Sequence, residues 1–220
     1  MLEYLLPAGV VAEELFADPP GLAPHPREEH LIAKAVDKRR REFIAARHCA
    51  RLAMTRLGID QAPILRGDMG APLWPTGVVG SLTHTDGYRA AALAYKLAVR
   101  SIGIDAEPHE ALPDGVLGAV SIEEERAWLA TSIYQDVHWA KLLFCAKEAT
   151  YKAWFPLTGR WLGFEDAHIT FARDAGSAVT GTFHSELLIA GDTTDGPPLT
   201  SFDGRWIVDR GLVATAITVV

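Results

Sequence analysis

Two short stretches carry residues whose type and spacing could do chemistry. In SIGIDAE, residues 101–107, strand alternation sends Ile102, Ile104 and Ala106 to one side and Gly103, Asp105 and Glu107 to the other. Asp105 and Glu107 then sit about 6–7 Å apart at Cα, from a rise of roughly 3.3 Å per residue. Two carboxylates so placed repel unless a positive charge lies between them. A hard divalent cation such as Mg²⁺ suits the pair, because it takes oxygen ligands and is usually held by few carboxylates together with substrate phosphates. An exposed edge strand with two solvated acids would give the same bare pattern.

The second stretch is FCAKEATYKAWF, residues 144–155. At helical period it puts Trp139, Leu142, Leu143, Ala146, Ala149 and Ala153 on one apolar stripe, the face a helix buries. Lys147, Glu148, Tyr151 and Lys152 are expected together on the other face, with Glu148 and Lys152 as i,i+4 neighbours. A solvated ion pair explains that spacing. So does a third carboxylate flanked by lysines, completing the acidic pair of the strand.

Anion chemistry has a candidate of its own in DKRRREFIAARHCARLAMTRLG, residues 37–58. Lys38, Arg39, Arg40, Arg41, Arg47, Arg51 and Arg56 oppose only Asp37 and Glu42, while Phe43, Ile44, Ala46, Ala50, Ala53, Met54 and Leu57 recur at helical spacing. Gly58 is the expected C-terminal stop. Such a helix either solvates its basic face or binds a polyanion; in a chain of net charge −7 the concentration favours binding.

These side chains need elements to position them. A helical pattern is expected from about Glu29 onward. After the basic helix, APILRGDMGAPLWPTG is a turn-laden connection carrying Arg66, followed by Gly70, Ala71 and Pro72 and by Trp74 and Pro75, a rigid apolar corner suited to flank a planar ring. VVGSLTHTDGYRAAALAY reads as two strands about a turn at Asp86 and Gly87, with His84 among Ser81, Thr83 and Thr85. A histidine there is either a hydrogen-bonded structural residue or a ligand. The proline-containing loop 108–118 is the expected boundary between halves. A short helix over 121–131 starts with Ser121 as N-cap, and Glu123, Glu124 and Glu125 are expected as first-turn capping and surface acids or, for one of them, as a contact of the active centre. Beyond the central helix, the segments around 160–171, 181–189 and 205–220 alternate as strands. Each half reads as helices followed by an antiparallel meander.

At 220 residues, 49% hydrophobic and 22% charged, the chain suits one large domain or two small ones. Its acidity argues against a nucleic-acid coat. Cys49 and Cys145 fall in apolar helical patterns and are expected as buried thiols. No apolar run approaches the roughly 18 residues of a spanning helix, and no basic leader precedes the first apolar residues, so a cytoplasmic protein without a membrane partner is expected.

As a set, GAP at 70–72, SLTH at 81–84, GIDAE at 103–107 and FCAKEATYKA at 144–153 resemble, in order and spacing, the Sfp/EntD-type 4′-phosphopantetheinyl transferases. The basic helix RRREFIAARHCARLAM resembles them too, and the ending is similar to the mycobacterial members. The resemblance runs from about residue 35 to 175. It implies an α+β fold of two similar subdomains, residues 1–108 and 109–220, related by a pseudo-twofold, each an antiparallel sheet with a packed long helix. Coenzyme A would lie between them, and a monomer would suffice. The implied activity moves the phosphopantetheinyl arm of coenzyme A to a serine of an apo acyl or peptidyl carrier protein, releasing adenosine 3′,5′-bisphosphate. Such carriers serve fatty-acid, polyketide, non-ribosomal peptide and siderophore assembly.

By the same resemblance Asp105, Glu107 and Glu148 would hold Mg²⁺, with Mn²⁺ as a substitute. Arg39, Arg47, Arg66 and His84 would meet the 3′-phosphate, with Arg40 as the alternative to Arg39; Lys147 and Lys152 would meet the pyrophosphate. Thr83 and the corner Gly70 to Pro72 would border the adenosine. Glu148 is the expected base, with metal-held hydroxide as its rival, and Asp105 and Lys152 complete the catalytic set. Phe144, Tyr151, Trp161 and Phe164 line an arm trough or pack the core. Two other readings fit the same residues: a Mg²⁺-dependent nucleotide phosphohydrolase, and a non-catalytic coenzyme A or carrier-binding module.

Overall fold

The structure, a computed structural model, describes residues 1–131 and 136–220. Its first unit opens with strand β1 (Val11–Leu15) and a 3₁₀ segment, Pro26–Ile32. Helix α1 (Asp37–Arg56) follows only after the chain is extended at Val36, so the helical pattern expected from Glu29 is split in two. Gly58 ends α1 in the left-handed region at φ 73°, with the Ile59 amide bonded to Met54 O and the Gly58 amide to Thr55 O. A two-residue pair, β2 (Leu65–Arg66) and β3 (Pro72–Leu73), leads into the hairpin β4 (Val78–Thr85) and β5 (Tyr88–Tyr95).

Strands β1, β5 and β4 form one antiparallel sheet in that order. Helix α1 lays Cys49, Ala50, Ala53 and Met54 on Ala91 and Leu93 of β5. The alanines on the alternate positions, Ala90, Ala92 and Ala94, pack in the opposite direction with Leu2, Ile102 and Ile104. This run of small residues lets β5 be covered on both faces.

The second unit contains strand β6 (Ser101–Pro108), the short helices α2 (Leu117–Val120) and α3 (Glu123–Thr131), helix α4 (Trp139–Thr158), and strands β7 (Ala167–Arg173), β8 (Thr180–Leu187), β9 (Ser201–Asp209) and β10 (Leu212–Val219). Its antiparallel sheet runs β6-β10-β9-β8-β7. The expected stripe of α4, including Trp139, Leu142, Ala146, Ala149 and Ala153, is buried on this sheet with Trp206, Phe183 and Val213. A Cβ at Gly103 would lie 1.9 Å from Ala149 O, so only glycine admits α4 this close to β6. Each unit is thus an antiparallel sheet with one long helix, the expected α+β architecture.

One assignment differs. Strand β6 was expected with the N-terminal half, yet it pairs along its length with β10, from Leu212↔Pro108 to Val219↔Ser101. Its other edge meets β4 through side chains: the Ile104 amide donates to Ser81 Oγ and the Ala106 amide to Thr83 Oγ1, each at 3.1 Å. Two hydroxyls therefore satisfy an edge that would otherwise be orphaned. Ser121 also departs from its expected capping role, donating instead to Leu117 O, while Glu125 accepts the Ile122 amide. Among the described residues no helix is long and apolar enough to cross a membrane.

Candidate active site

A cavity of about 600 Å³ opens where the two units meet. Arg39, Phe43 and Arg47 of α1, Arg66, Gly70, Ala71 and Pro72 of the β2–β3 turn, and Thr83 and His84 of β4 form one wall. Asp105 and Glu107 of β6, and Phe144, Glu148, Tyr151 and Lys152 of α4, form the other. A second hollow of about 590 Å³ lies between Tyr4 to Pro7 and the outer face of the second sheet. It holds Asp203 and Arg205 but none of the carboxylates or arginines gathered in the first, so the expected chemistry belongs to the first.

At its acidic end Asp105 is 5% exposed, and its Oδ1 accepts from Lys152 Nζ at 2.6 Å and Thr83 Oγ1 at 3.0 Å. Lys152 also donates to Ile104 O. Burial opposes its charge, but Asp105 and Glu148 outweigh burial and hold its pKa above the usual lysine value. Burial, then repulsion from Asp105, pushes the Glu107 carboxyl up to about 7; burial also raises Glu148. Asp105 Oδ2 is buried with no hydrogen-bond partner. Among the described residues no three His, Cys, Asp or Glu side chains close into a finished ligand cluster. The orphaned oxygen and the charge-starved Glu107 nevertheless fit a cation, which would relieve both.

At the basic end Arg47 stacks on Phe43, 3.4 Å from the ring centroid, and donates to Ile64 O. Burial, with further repulsion from Arg66, Arg51 and Arg39, lowers its pKa to about 10 against the attraction of Glu28. Arg39 meets His84 Nε2. Burial, then Arg39, Lys152 and Arg89, lowers His84 to about 4, so it is neutral at pH 7. Crowded guanidiniums beside a neutral imidazole make a site that an anion stabilises.

Most of the expected residues converge here; two do not. Arg40 turns away and donates to Ile32 O at 2.7 Å, which leaves Arg39, of the two, in the cavity beside Arg47 and Arg66. Lys147, expected beside Lys152, is buried elsewhere: it pairs with Glu125 at 2.7 Å and donates to Phe164 O and Ala167 O. The helical period explains the divergence, since five residues at 3.6 per turn turn the side chain by about 140°. Glu125 correspondingly is no surface acid but is 2% exposed. Thr83 spends its hydroxyl on Asp105 and Ala106.

Of the four expected aromatics, Phe144 and Tyr151 line the cavity. Phe164 backs Phe144 at 5.8 Å, and Trp161 backs Tyr151 at 5.0 Å between ring centroids. Trp74, expected with Pro75 to flank a planar ring, lines the cavity; sequence reasoning missed the cavity roles of Phe43 and Phe155, and the pairing of Ser81 with β6. The alternation Ser81, Thr83 opposite two amides of like spacing was the available signal for the last.

The 4′-phosphopantetheinyl transferase N-terminal domain model matches residues 27–94, and the 4′-phosphopantetheinyl transferase superfamily model matches residues 101–197. The division falls before β6, as the sheets do. The chain is 63% identical, across 99% of both chains, to the 4′-phosphopantetheinyl transferase Npt of Nocardia iowensis. It is 59% identical to the 4′-phosphopantetheinyl transferase PptT of Mycobacterium tuberculosis, across 99% of this chain and 97% of that one. Identity to the 4′-phosphopantetheinyl transferase Svp of Streptomyces mobaraensis is 48%, across 100% of this chain and 89% of that one. Likeness of this degree along the whole chain, with both halves matched in order, is decisive: the protein belongs to the 4′-phosphopantetheinyl transferase family and is a transferase enzyme.

Proposed function

We propose that coenzyme A occupies the 600 Å³ cavity and that a divalent cation, Mg²⁺ or Mn²⁺, is held there by Asp105, Glu107 and Glu148. The buried, unpartnered Oδ2 of Asp105 carries this reading. The cation, when bound, offsets charge on the pyrophosphate as the leaving phosphate departs. Arg39, Arg47, Arg66 and His84 take the 3′-phosphate, and Gly70 to Pro72 border the adenosine. Lys152, oriented by Asp105, faces the pyrophosphate. The arm extends along Phe144 and Tyr151.

Glu148 accepts the proton of the incoming carrier serine, a role helped by the burial that raises its basicity. The serine oxygen forms a new bond to the phosphorus nearest the pantetheine, and the bond from that phosphorus to the bridging oxygen breaks. Adenosine 3′,5′-bisphosphate leaves. One chain supplies every wall of the cavity, which supports action as a monomer; the absence of a spanning helix among the described residues is compatible with a cytoplasmic site.

Intact-mass spectrometry of an apo carrier protein with enzyme, coenzyme A and Mg²⁺ tests the reading. One phosphopantetheinyl group should be added, and neither EDTA-treated enzyme nor Asp105→Ala should add it. Transfer undiminished by EDTA and by Asp105→Ala refutes the metal assignment. Cleaved coenzyme A with an unmodified carrier points to a hydrolase, and intact coenzyme A with an unmodified carrier points to a binding module.

A further inference from the structure

Glu42 stands behind the basic end of the cavity without lining it. It is 8% exposed, one helical turn beyond Arg39 on α1, and its Oε2 lies 3.5 Å from His84 Nδ1 and 3.7 Å from Arg39 Nη1. On the other side of the ring, Arg39 Nη1 meets His84 Nε2. A guanidinium has only donors, so Nε2 must accept and the imidazole proton must sit on Nδ1, toward Glu42. The Arg39 contact thus sets the tautomer, and the Glu42 carboxylate adds an electrostatic restraint on the Nδ1 side of the ring. The same carboxylate oxygen restrains Arg39, whose side chain is otherwise partly exposed at 44%.

We infer that Glu42 is a positioning residue that makes the site selective for the 3′-phosphorylated donor, by holding Arg39, between its own carboxylate and the accepting Nε2 of His84, in the arrangement that receives a phosphate. The inference rests on the proposal that Arg39 meets the 3′-phosphate. Glu42 touches neither donor nor carrier. Its effect reaches the ligand only through the guanidinium it restrains. Losing it leaves Arg39 free to swing toward solvent. Binding energy specific to one remote phosphate then falls, while the reacting centre at Asp105, Lys152 and Glu148 is untouched.

The test compares coenzyme A with 3′-dephospho-coenzyme A as donors for the full chain. Glu42→Met should raise KM for coenzyme A about tenfold with kcat within about twofold, and leave KM for the dephospho donor unchanged. Glu42→Gln, which keeps an acceptor oxygen beside Arg39 Nη1, should recover part of the loss. Equal loss on both donors, or no loss on either, overturns the inference. If Glu42→Met does not fold, Glu42→Asp withdraws the carboxylate by one methylene and should give a smaller loss confined to coenzyme A; full discrimination in that variant overturns the inference as well. Arg39→Ala separates the two levels. An Arg39→Ala enzyme that still prefers coenzyme A as strongly as the parent overturns the 3′-phosphate reading of Arg39 itself. Loss of that preference in Arg39→Ala, with its retention in the Glu42 variants, overturns only the role given to Glu42.

Discussion

Replacing Lys147 by methionine separates a ligand clamp from a structural tie. The ammonium has three donors, and all three are occupied inside the protein: Glu125 at 2.7 Å, Phe164 O at 2.6 Å and Ala167 O at 2.9 Å. Both side chains of the ion pair are 1% exposed. Burial pulls the Lys147 pKa below its usual value, against the hydrogen bond and charge of Glu125. Removing one partner of a buried pair costs about 3–5 kcal/mol, because the other charge is left uncompensated. Glu125 would keep two amide donors, Ile122 N at 2.9 Å and Ile169 N at 2.8 Å. That places Lys147→Met near the lower end, about 3 kcal/mol. At about 2–4 °C per kcal/mol for a chain of this size, Tm should fall by about 6–12 °C. Adding Glu125→Gln should restore part of the loss, since it removes the unpaired charge and its one carbonyl oxygen still accepts from one of the two backbone amides. Calorimetry reads the stability and steady-state kinetics reads KM for coenzyme A. An unchanged Tm with a tenfold rise in KM would refute the structural assignment and return Lys147 to the ligand.

Two further outcomes follow from the geometry of β6. Gly103→Ala drives a methyl into Ala149 O, a backbone atom that cannot step aside, so α4 must lift from β6. The expected cost is about 1–3 kcal/mol in urea unfolding, with a fall in kcat as Lys152 leaves Asp105; parental stability would show that the helix does not ride this close. The raised Glu107 pKa makes the folded state hold an extra proton between 4.5 and about 7, so stability from this group is full below 4.5 and is lost as pH rises through 7. Glu107→Gln should flatten that slope in Tm against pH, and Mg²⁺ should stabilise the parent most above pH 7. Identical slopes in parent and variant would dismiss the shift.

The acid pair was legible because strand alternation is a local property: Asp105 and Glu107 share a face whatever the strand pairs with. The buried stripe of α4 was legible for the same reason. Lys147 was misplaced although its angle to Lys152 is fixed by the helical period, because both surfaces beside the buried stripe are polar in sequence. Glu123, Glu124 and Glu125 are alike in type, and only the docking of α3 against β7, where Glu125 meets the Ile169 amide, singles out the third. The sheet to which β6 belongs had no local sign. Its ladder partner β10 begins 104 positions after Pro108, at Leu212, and the intervening loop made the nearer boundary look natural.

That misplaced strand explains how the site is assembled. Had β6 joined β4 by a backbone ladder, each sheet would have continued into the other. Instead two hydroxyls bridge them, and one of these does double work: Thr83 accepts the Ala106 amide and donates to Asp105 Oδ1. The next residue along β4 is His84, at the basic end, and on the far side of Asp105 stands Lys152 of α4. His84, Thr83, Asp105 and Lys152 thus run in contact or in sequence from one unit to the other. Each wall of the cavity comes from a different sheet-and-helix unit, so neither unit alone presents both the arginines and the carboxylates. The chemistry requires the seam. A substitution that loosens it, even without touching a ligand, should lower binding at one end and turnover at the other together.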